Sequence, residues 1–254
     1  MLEVRSLLKR YNHIPAVDGV SFTIRPGEVL GYLGPNGAGK TTTVRMLTGL
    51  IEPTDGGILF QGCDVRADWI GFQRRLGYVP EEPHLYRHLT GREYLQLIGR
   101  LRGLPRRVLD PRLDRLLHLF ALWEDRHSPL ASYSKGMRQK ILLSGALLHD
   151  PELLILDEPF SGLDVKTTLI LRRLLQALAS EGKMILFSSH VLEVVEKVCS
   201  SVVILRQGKL VAHDRVERLR EILQQESLEG VFAQLTEQED PGPVVSGILA
   251  AIRS

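Results

Sequence analysis

The sequence has few cysteines, no long apolar run and almost no net charge. Its two cysteines, Cys63 and Cys199, lie far apart without metal-ligand spacing, which predicts a reducing, cytosolic compartment. The longest run without Asp, Glu, Lys or Arg, Pro241 to Ile252, has 12 residues and is shorter than the roughly 18 to 20 residues that span a bilayer. With 32 basic and 30 acidic residues, the formal net charge of +2 is too small for a protein that coats a polyanion.

The rest of the composition is typical of one globular domain with a short extension. Of the 254 residues, 44% are hydrophobic and 24% charged, a balance that supports a buried core. No repeat of about 20 to 50 residues is present, which excludes solenoids and propellers. The first residues lack the apolar core of a secretory signal, so we expect a cytosolic protein that does not cross a membrane by itself.

Short apolar segments predict the strands of an α/β fold. Leu153 to Leu156 and Met184 to Phe187 are continuous apolar runs, which is the pattern of parallel strands buried on both faces. Val29 to Leu33 is predicted to be a central strand, because a glycine-rich turn and a helical pattern follow it. Thr90 and Glu93 form a capping box, so a helix is expected to begin directly after Thr90.

The glycine-rich turn matches the phosphate-loop pattern G-x-x-x-x-G-K-[ST] at every fixed position. Such a turn lets backbone N–H groups surround phosphate oxygens, and the N-terminus of the following helix adds positive potential. We expect Lys40 to reach the β- and γ-phosphates and the Thr41 hydroxyl to ligate Mg²⁺. The residues predicted to bind the nucleotide here are Gly34, Asn36, Gly37, Ala38, Gly39, Lys40, Thr41 and Thr42.

Two adjacent carboxylates narrow the reaction class. Asp157 and Glu158 directly follow an apolar strand, at the end where open parallel sheets bind ligands. Alone they could be a polar strand end, but together with a phosphate loop they predict nucleotide hydrolysis. Asp157 is expected to hold Mg²⁺ through water, and Glu158 to polarise the attacking water. The rival is a kinase or GTPase, which would have a substrate pocket or a guanine-reading motif such as N-K-x-D. The sequence contains no N-K-x-D.

A third motif lies between the phosphate loop and the two acids. Residues 133–137 read Tyr-Ser-Lys-Gly-Met and precede a helical segment. The motif resembles the L-S-G-G-Q signature of the nucleotide-binding subunits of ABC transporters, with Ser134 and Gly136 in register. The resemblance covers roughly residues 2–220. The lysine at position 135 and the Pro-Glu-Glu sequence at residues 80–82 are similar to export-type members.

The resemblance implies a fold and a domain organisation. It implies a phosphate-loop NTPase core with a mostly parallel sheet, a small antiparallel β-subdomain, and an α-helical subdomain at about 82–150 that carries the signature. The nucleotide-binding domain would occupy residues 1–220. Residues 221–254 would form a C-terminal helical extension and tail.

The resemblance also implies further site residues. Tyr11 would stack on adenine, although an aromatic residue at a strand end can equally cover the core. Glu81, where the family usually has glutamine, would ligate the metal. His190 would contact the γ-phosphate and hold Glu158 and the attacking water in place.

The implied assembly has two nucleotide-binding subunits and separate membrane subunits. Ser134 and Gly136 would bind the γ-phosphate of an ATP held by a second subunit, either an identical copy or a close relative, and residues 161–164 resemble the loop that couples the two. Membrane-spanning permease subunits would complete an exporter, with this chain on the cytoplasmic face of the cell membrane. The alternative is a soluble ABC-type ATPase acting on nucleic acid or ribosomes. The arginines of residues 100–115 have little aromatic interleaving, so no nucleic-acid partner is expected.

Two segments are predicted to make further contacts. Residues 82–98 are expected to form the docking groove of the permease, with apolar surface from Leu85, Tyr86, Leu89 and Tyr94. Residues 215–235 have broadly helical apolar spacing and are expected to pack as an accessory element on the catalytic body or on the second subunit. The alternative is a packed terminal helix without a regulatory role.

Overall fold

The computed structural model describes residues 1–82, 85–189 and 191–236, which form two sheets and surrounding helices. In chain order, the strands in these ranges are β1 (Leu2–Tyr11), β2 (Ile14–Ile24), β3 (Val29–Leu33), β4 (Asp55–Phe60), β5 (Cys63–Asp64), β6 (Leu76–Val79), β7 (Leu153–Asp157), β8 (Met184–Ser188), β9 (Ser201–Arg206) and β10 (Lys209–Arg215). The helices are α1 (Lys40–Leu47), α2 (Trp69–Arg75), α3 (Gly91–Leu101), α4 (Arg106–Leu119), α5 (Lys135–Leu147), α6 (Val165–Ser180), α7 (Leu192–Val198), α8 (Val216–Leu223) and α9 (Leu228–Thr236), with a 3₁₀ turn at Leu130–Ser132.

The larger sheet has the strand order β10-β9-β3-β8-β7-β6. Five of its strands are parallel, and β10 pairs antiparallel with β9 at one edge. Every residue of β3, β7 and β8 is buried, because packed elements cover both faces of the sheet. The predicted parallel core is therefore confirmed.

A smaller antiparallel sheet, β2-β1-β4-β5, covers one face of the larger sheet together with α1 and α2. Its inward side chains, such as Leu2 and Ile24, share a hydrophobic cluster with Leu30 and Tyr32 of β3. Strand β1 ends at Tyr11 and β2 begins at Ile14, so only a two-residue turn separates them. The expected antiparallel β-subdomain is present.

Helices α3, α4 and α5 form the helical region that lies before β7. Thr90 and Glu93 make both hydrogen bonds of the predicted capping box, and α3 begins at Gly91. Tyr94 is only 8% exposed, so its prediction as docking surface was wrong. Its helical position turns it inward with Leu95, against α5.

The described part of the C-terminal extension belongs to the core. Leu228, Val231 and Phe232 of α9 are buried in the same cluster as Val195 of α7. The carboxylate of Glu196 on α7 accepts hydrogen bonds from the Arg220 guanidinium at 3.1 Å and from the N–H of Leu228 at 3.4 Å. The two last helices are thereby fastened to α7.

The predicted tail, residues 237–254 with its uncharged run, lies outside the described residues. Within the described ranges, no helix combines the length and apolar character needed to cross a bilayer.

Candidate functional site

The turn between β3 and α1 fits only if two of its residues are glycine. A Cβ atom at Gly34 would lie 2.7 Å from the carbonyl oxygen of Leu205. Gly39 has φ +102°, and a Cβ there would lie 2.5 Å from the carbonyl oxygen of Ala16. Since both distances are shorter than side chains tolerate, strands β2 and β9 hold the loop backbone in a tight turn.

Helix α1 begins at this turn with its positive end toward the loop. Gly39 is the N-cap residue, so within the described residues no side chain caps the start of the helix, and its first turn has no acidic residue. The buried hydroxyl of Thr43 donates to the Gly39 carbonyl at 3.1 Å and accepts from the Tyr32 hydroxyl, also at 3.1 Å. The N–H groups of the first turn are thus rigidly held and aimed at the loop, which makes an anion site.

Lys40 lies between the loop and a group of carboxylates. Its ammonium donates to the carbonyl oxygens of Gly34 at 2.5 Å and Pro35 at 3.1 Å. Burial lowers the pKa of Lys40, while the negative charges of Glu158, Asp157 and Glu81 raise it. The predicted phosphate-binding lysine and the predicted acids therefore lie in one electrostatic environment.

The two acids are held by Ser188, at the end of the neighbouring strand β8. Asp157 is 3% exposed, and one of its carboxylate oxygens accepts a hydrogen bond from the Ser188 hydroxyl. The N–H of Glu158 donates to both the carbonyl oxygen and the hydroxyl of Ser188, at 3.2 and 3.3 Å. Burial raises the pKa of Asp157, and the Ser188 hydrogen bond and the charges of Lys40 and Arg45 oppose that shift.

Glu158 has a strained backbone. Its φ is +48°, in the left-handed region that costs a non-glycine residue about 1 to 2 kcal/mol. Glu158 lies directly after the end of β7, where the chain turns, and it lines a cavity next to the phosphate loop. Strain of this kind persists only where the surrounding structure over-determines the conformation.

These elements enclose a cavity of about 230 Å³. It brings together nearly all residues predicted from the phosphate loop and the acids. Ala16 of β2 also lines it, and no sequence signal marks that residue. The lining residues are Ala16, Asn36, Gly37, Gly39, Lys40, Thr41, Thr42, Glu81, Asp157 and Glu158.

The other two residues predicted from the phosphate loop lie beside this cavity. Ala38 is buried, and its N–H donates to the Pro35 carbonyl at 3.1 Å. Gly34 lines a second cavity of about 360 Å³, which is also lined by Asn36 and Phe232. The C-terminal helix α9 therefore supplies a wall next to the phosphate loop.

The remaining predicted residues lie elsewhere. Ser134 and Gly136 lie at the start of α5. Neither of them is among the residues that line the cavity of about 230 Å³. The Ser134 hydroxyl accepts the N–H of Met137 at 3.2 Å and so caps the helix. Tyr11 is 48% exposed, and the centroid of its ring lies 5.5 Å from the Lys9 ammonium. It is not among the residues that line the cavity of about 230 Å³. His190 is outside the described residues, and its role stays a prediction.

A phosphate loop opposed by strand-end acids on a mostly parallel sheet defines a phosphate-loop NTPase. Residues 17–161 match the ABC transporter family. The ABC transporter ATP-binding protein NatA of Bacillus subtilis (strain 168) is 40% identical over 220 residues, which are 86% of this chain and 89% of that protein. The Nod factor export ATP-binding protein I of Ralstonia nicotianae is 36% identical over 219 residues, 86% of this chain and 68% of that protein.

A solved structure described as the ATP-binding subunit of an ABC transporter has a TM-score of 0.87 and 35% identity, covering 92% of this chain and 99% of that one. The chain therefore belongs to the ABC transporter family. It is an ATP-binding subunit with ATPase activity, and subunits of this kind work with membrane permeases.

Proposed function

We propose that this subunit powers export through separate membrane permease subunits, at the cytoplasmic face of the cell membrane. The observation that carries the ATPase mechanism is that Lys40, Asp157 and Glu158 line the same cavity. The similarity to a Nod factor export ATP-binding protein, together with the lysine of the signature segment, supports the export direction.

Each group in the cavity has a proposed role. The N–H groups at the start of α1 and the Lys40 ammonium bind the β- and γ-phosphates. The Glu158 carboxylate accepts the proton of the attacking water, because it lies at the strand end that faces the phosphate loop. Ser188 fixes the backbone on which Glu158 stands.

The same cavity offers oxygen ligands for Mg²⁺. Thr41, Glu81 and Asp157 all line it, and hydroxyl and carboxylate oxygens are the donors that this hard cation prefers. These three residues would hold the ion, which supplies positive charge against the phosphate oxygens. In the described part of the chain, no group of three or more His, Cys, Asp or Glu side chains is placed to hold a metal ion.

A second nucleotide-binding subunit, identical or closely related, would complete the site. Ser134 and Gly136 begin α5 away from the cavity of their own subunit, so we propose that they bind the γ-phosphate of the partner's ATP. The N-terminus of α5 would add its positive potential. Tyr11, exposed at the end of β1, is proposed to stack on adenine, and His190 to contact the γ-phosphate.

The permease would contact the segment that follows Glu81. Tyr86 is 58% exposed there, whereas Leu85 and Leu89 pack partly against the helical core. We therefore narrow the proposed docking surface to Tyr86 and its surroundings.

The substitution Glu158→Gln tests the ATPase mechanism. It removes the proton acceptor and keeps the side-chain size, so ATP binding should persist while turnover falls roughly 10²- to 10⁴-fold. Size-exclusion chromatography with ATP and Mg²⁺ should show a trapped dimer. Glu181→Gln, at an exposed helix end, is the matched control and should behave as the parent. A Glu158→Gln variant that stays monomeric and turns over at the parental rate would contradict the mechanism.

A further inference from the structure

The loop that follows Glu158 packs against the beginning of α5. We name residues 159–164 the acid loop. The Lys135 ammonium donates to the Ser161 hydroxyl at 2.8 Å, and the Gln139 side-chain amide donates to the Pro159 carbonyl at 3.3 Å. These contacts join the signature segment to the acid loop within one subunit.

The contacts come from one face of the helix. Positions 135 and 139, and likewise positions 136 and 140, are four residues apart, so each pair lies on one side of α5. The Lys140 ammonium lies 3.8 Å from a carboxylate oxygen of Asp164, at the far end of the acid loop. The whole loop is therefore held along the first two turns of the helix.

The two backbones approach closely at their glycines. A Cβ at Gly136 would lie 2.8 Å from the Gly162 carbonyl oxygen. At Gly162, where φ is +75°, a Cβ would lie 3.0 Å from the Cγ and Cδ atoms of Lys135. The alkyl part of Lys135 thus lies across Gly162 and occupies the space that a side chain there would need.

The acid loop continues directly into the proposed catalytic acid. The N–H of Ser161 donates to the Glu158 carbonyl at 3.1 Å, so the residue that Lys135 holds by its hydroxyl is bonded to Glu158 by its backbone. On its other side, the N–H of Glu158 is held by Ser188. The backbone of Glu158 is therefore held by β8 through its N–H and by α5, through Ser161, at its carbonyl.

We propose that Lys135 is a positioning residue that holds the acid loop and, through Ser161, keeps the Glu158 carboxylate oriented for hydrolysis. The proposal rests on the role of Glu158 given above. It assigns to the lysine of the signature segment a function in its own subunit's site, so that any movement of the signature is transmitted to the acid that activates water.

The test measures kcat and KM for ATP in Lys135→Met, Ser161→Ala and the double variant. Lys135 is exposed, so the loss of its hydrogen bond should leave the fold intact. Each single substitution should lower kcat about 3- to 10-fold with unchanged KM, on the order expected for one ordinary hydrogen bond at an exposed site. The double variant should show no further loss, since both changes remove the same contact. Lys135→Arg should restore much of kcat, and Lys209→Met on β10 is the exposed-lysine control.

Two results would overturn the proposal. The first is an unchanged kcat in Lys135→Met. The second is a raised KM for ATP in Lys135→Met but not in Ser161→Ala, because that result would indicate that the ammonium binds the partner's nucleotide. Glu158→Gln separates this proposal from the proposed ATPase mechanism. If Glu158→Gln abolishes turnover while Lys135→Met does not lower it, only the positioning role fails.

Discussion

Replacing Phe232 by alanine should destabilise the whole subunit, although the residue belongs to the C-terminal extension. Phe232 is 8% exposed and packs in the main core cluster with α7, while its edge lines the cavity beside the phosphate loop. Truncating a buried phenylalanine to alanine typically costs about 3 to 5 kcal/mol. Because the neighbouring cavity already opens to solvent, no sealed void forms, and we expect the lower end, about 3 kcal/mol.

For a domain of this size, each 1 kcal/mol shifts the melting temperature by roughly 2 to 4 °C. The Phe232→Ala variant should therefore melt about 6 to 12 °C below the parent in differential scanning calorimetry. Gln234→Ala, on the exposed side of the same helix, should melt within about 1 to 2 °C of the parent. If Phe232→Ala melts as close to the parent as this control, α9 does not contribute to the core, and the packing argument fails.

Three other perturbations have defined outcomes. Lys40→Ala should weaken binding of a fluorescent ATP analogue, since the phosphates lose their main cation; unchanged affinity and turnover would make the loop merely structural. A charge in Tyr86→Glu should reduce co-purification with the permease while basal ATPase activity persists, and undiminished co-purification would exclude that surface. Burial lowers the pKa of His149 from its usual value of 6.5 to about 4. Between these two pH values the unfolded chain binds one proton more than the folded chain, so the stability falls as the pH drops through that window. His149→Gln should reduce the loss of urea resistance between pH 7 and 5, and an unchanged loss would remove His149 from the acid response.

Elements with strong local signals could be predicted from the sequence. The strand before the phosphate loop, β3, has the predicted bounds, and the capping box of Thr90 and Glu93 starts α3 as predicted. Helices α2 and α7 were missed. Each has only seven residues, so neither shows enough helical period to be distinguished from a loop.

The support around the acids could not be predicted, because strand register creates it. Ser188 ends an apolar run like many strand-end serines, and only the pairing of β7 with β8 places it opposite Asp157. Ala16 reaches the cavity because strand β2 of the small sheet passes close to the phosphate loop. The contact of the signature lysine with Ser161 also could not be predicted, because it depends on how α5 packs on a segment distant in sequence.

The left-handed backbone of Glu158 has a consequence for protein engineering. Glycine adopts this conformation without strain, so Glu158→Gly should relieve about 1 kcal/mol while deleting the carboxylate. A library sorted only for heat resistance would therefore enrich inactive sequences at this position. Selection for a more stable subunit has to include ATP turnover at every round, because at position 158 the unstrained backbone favours glycine whereas hydrolysis requires glutamate.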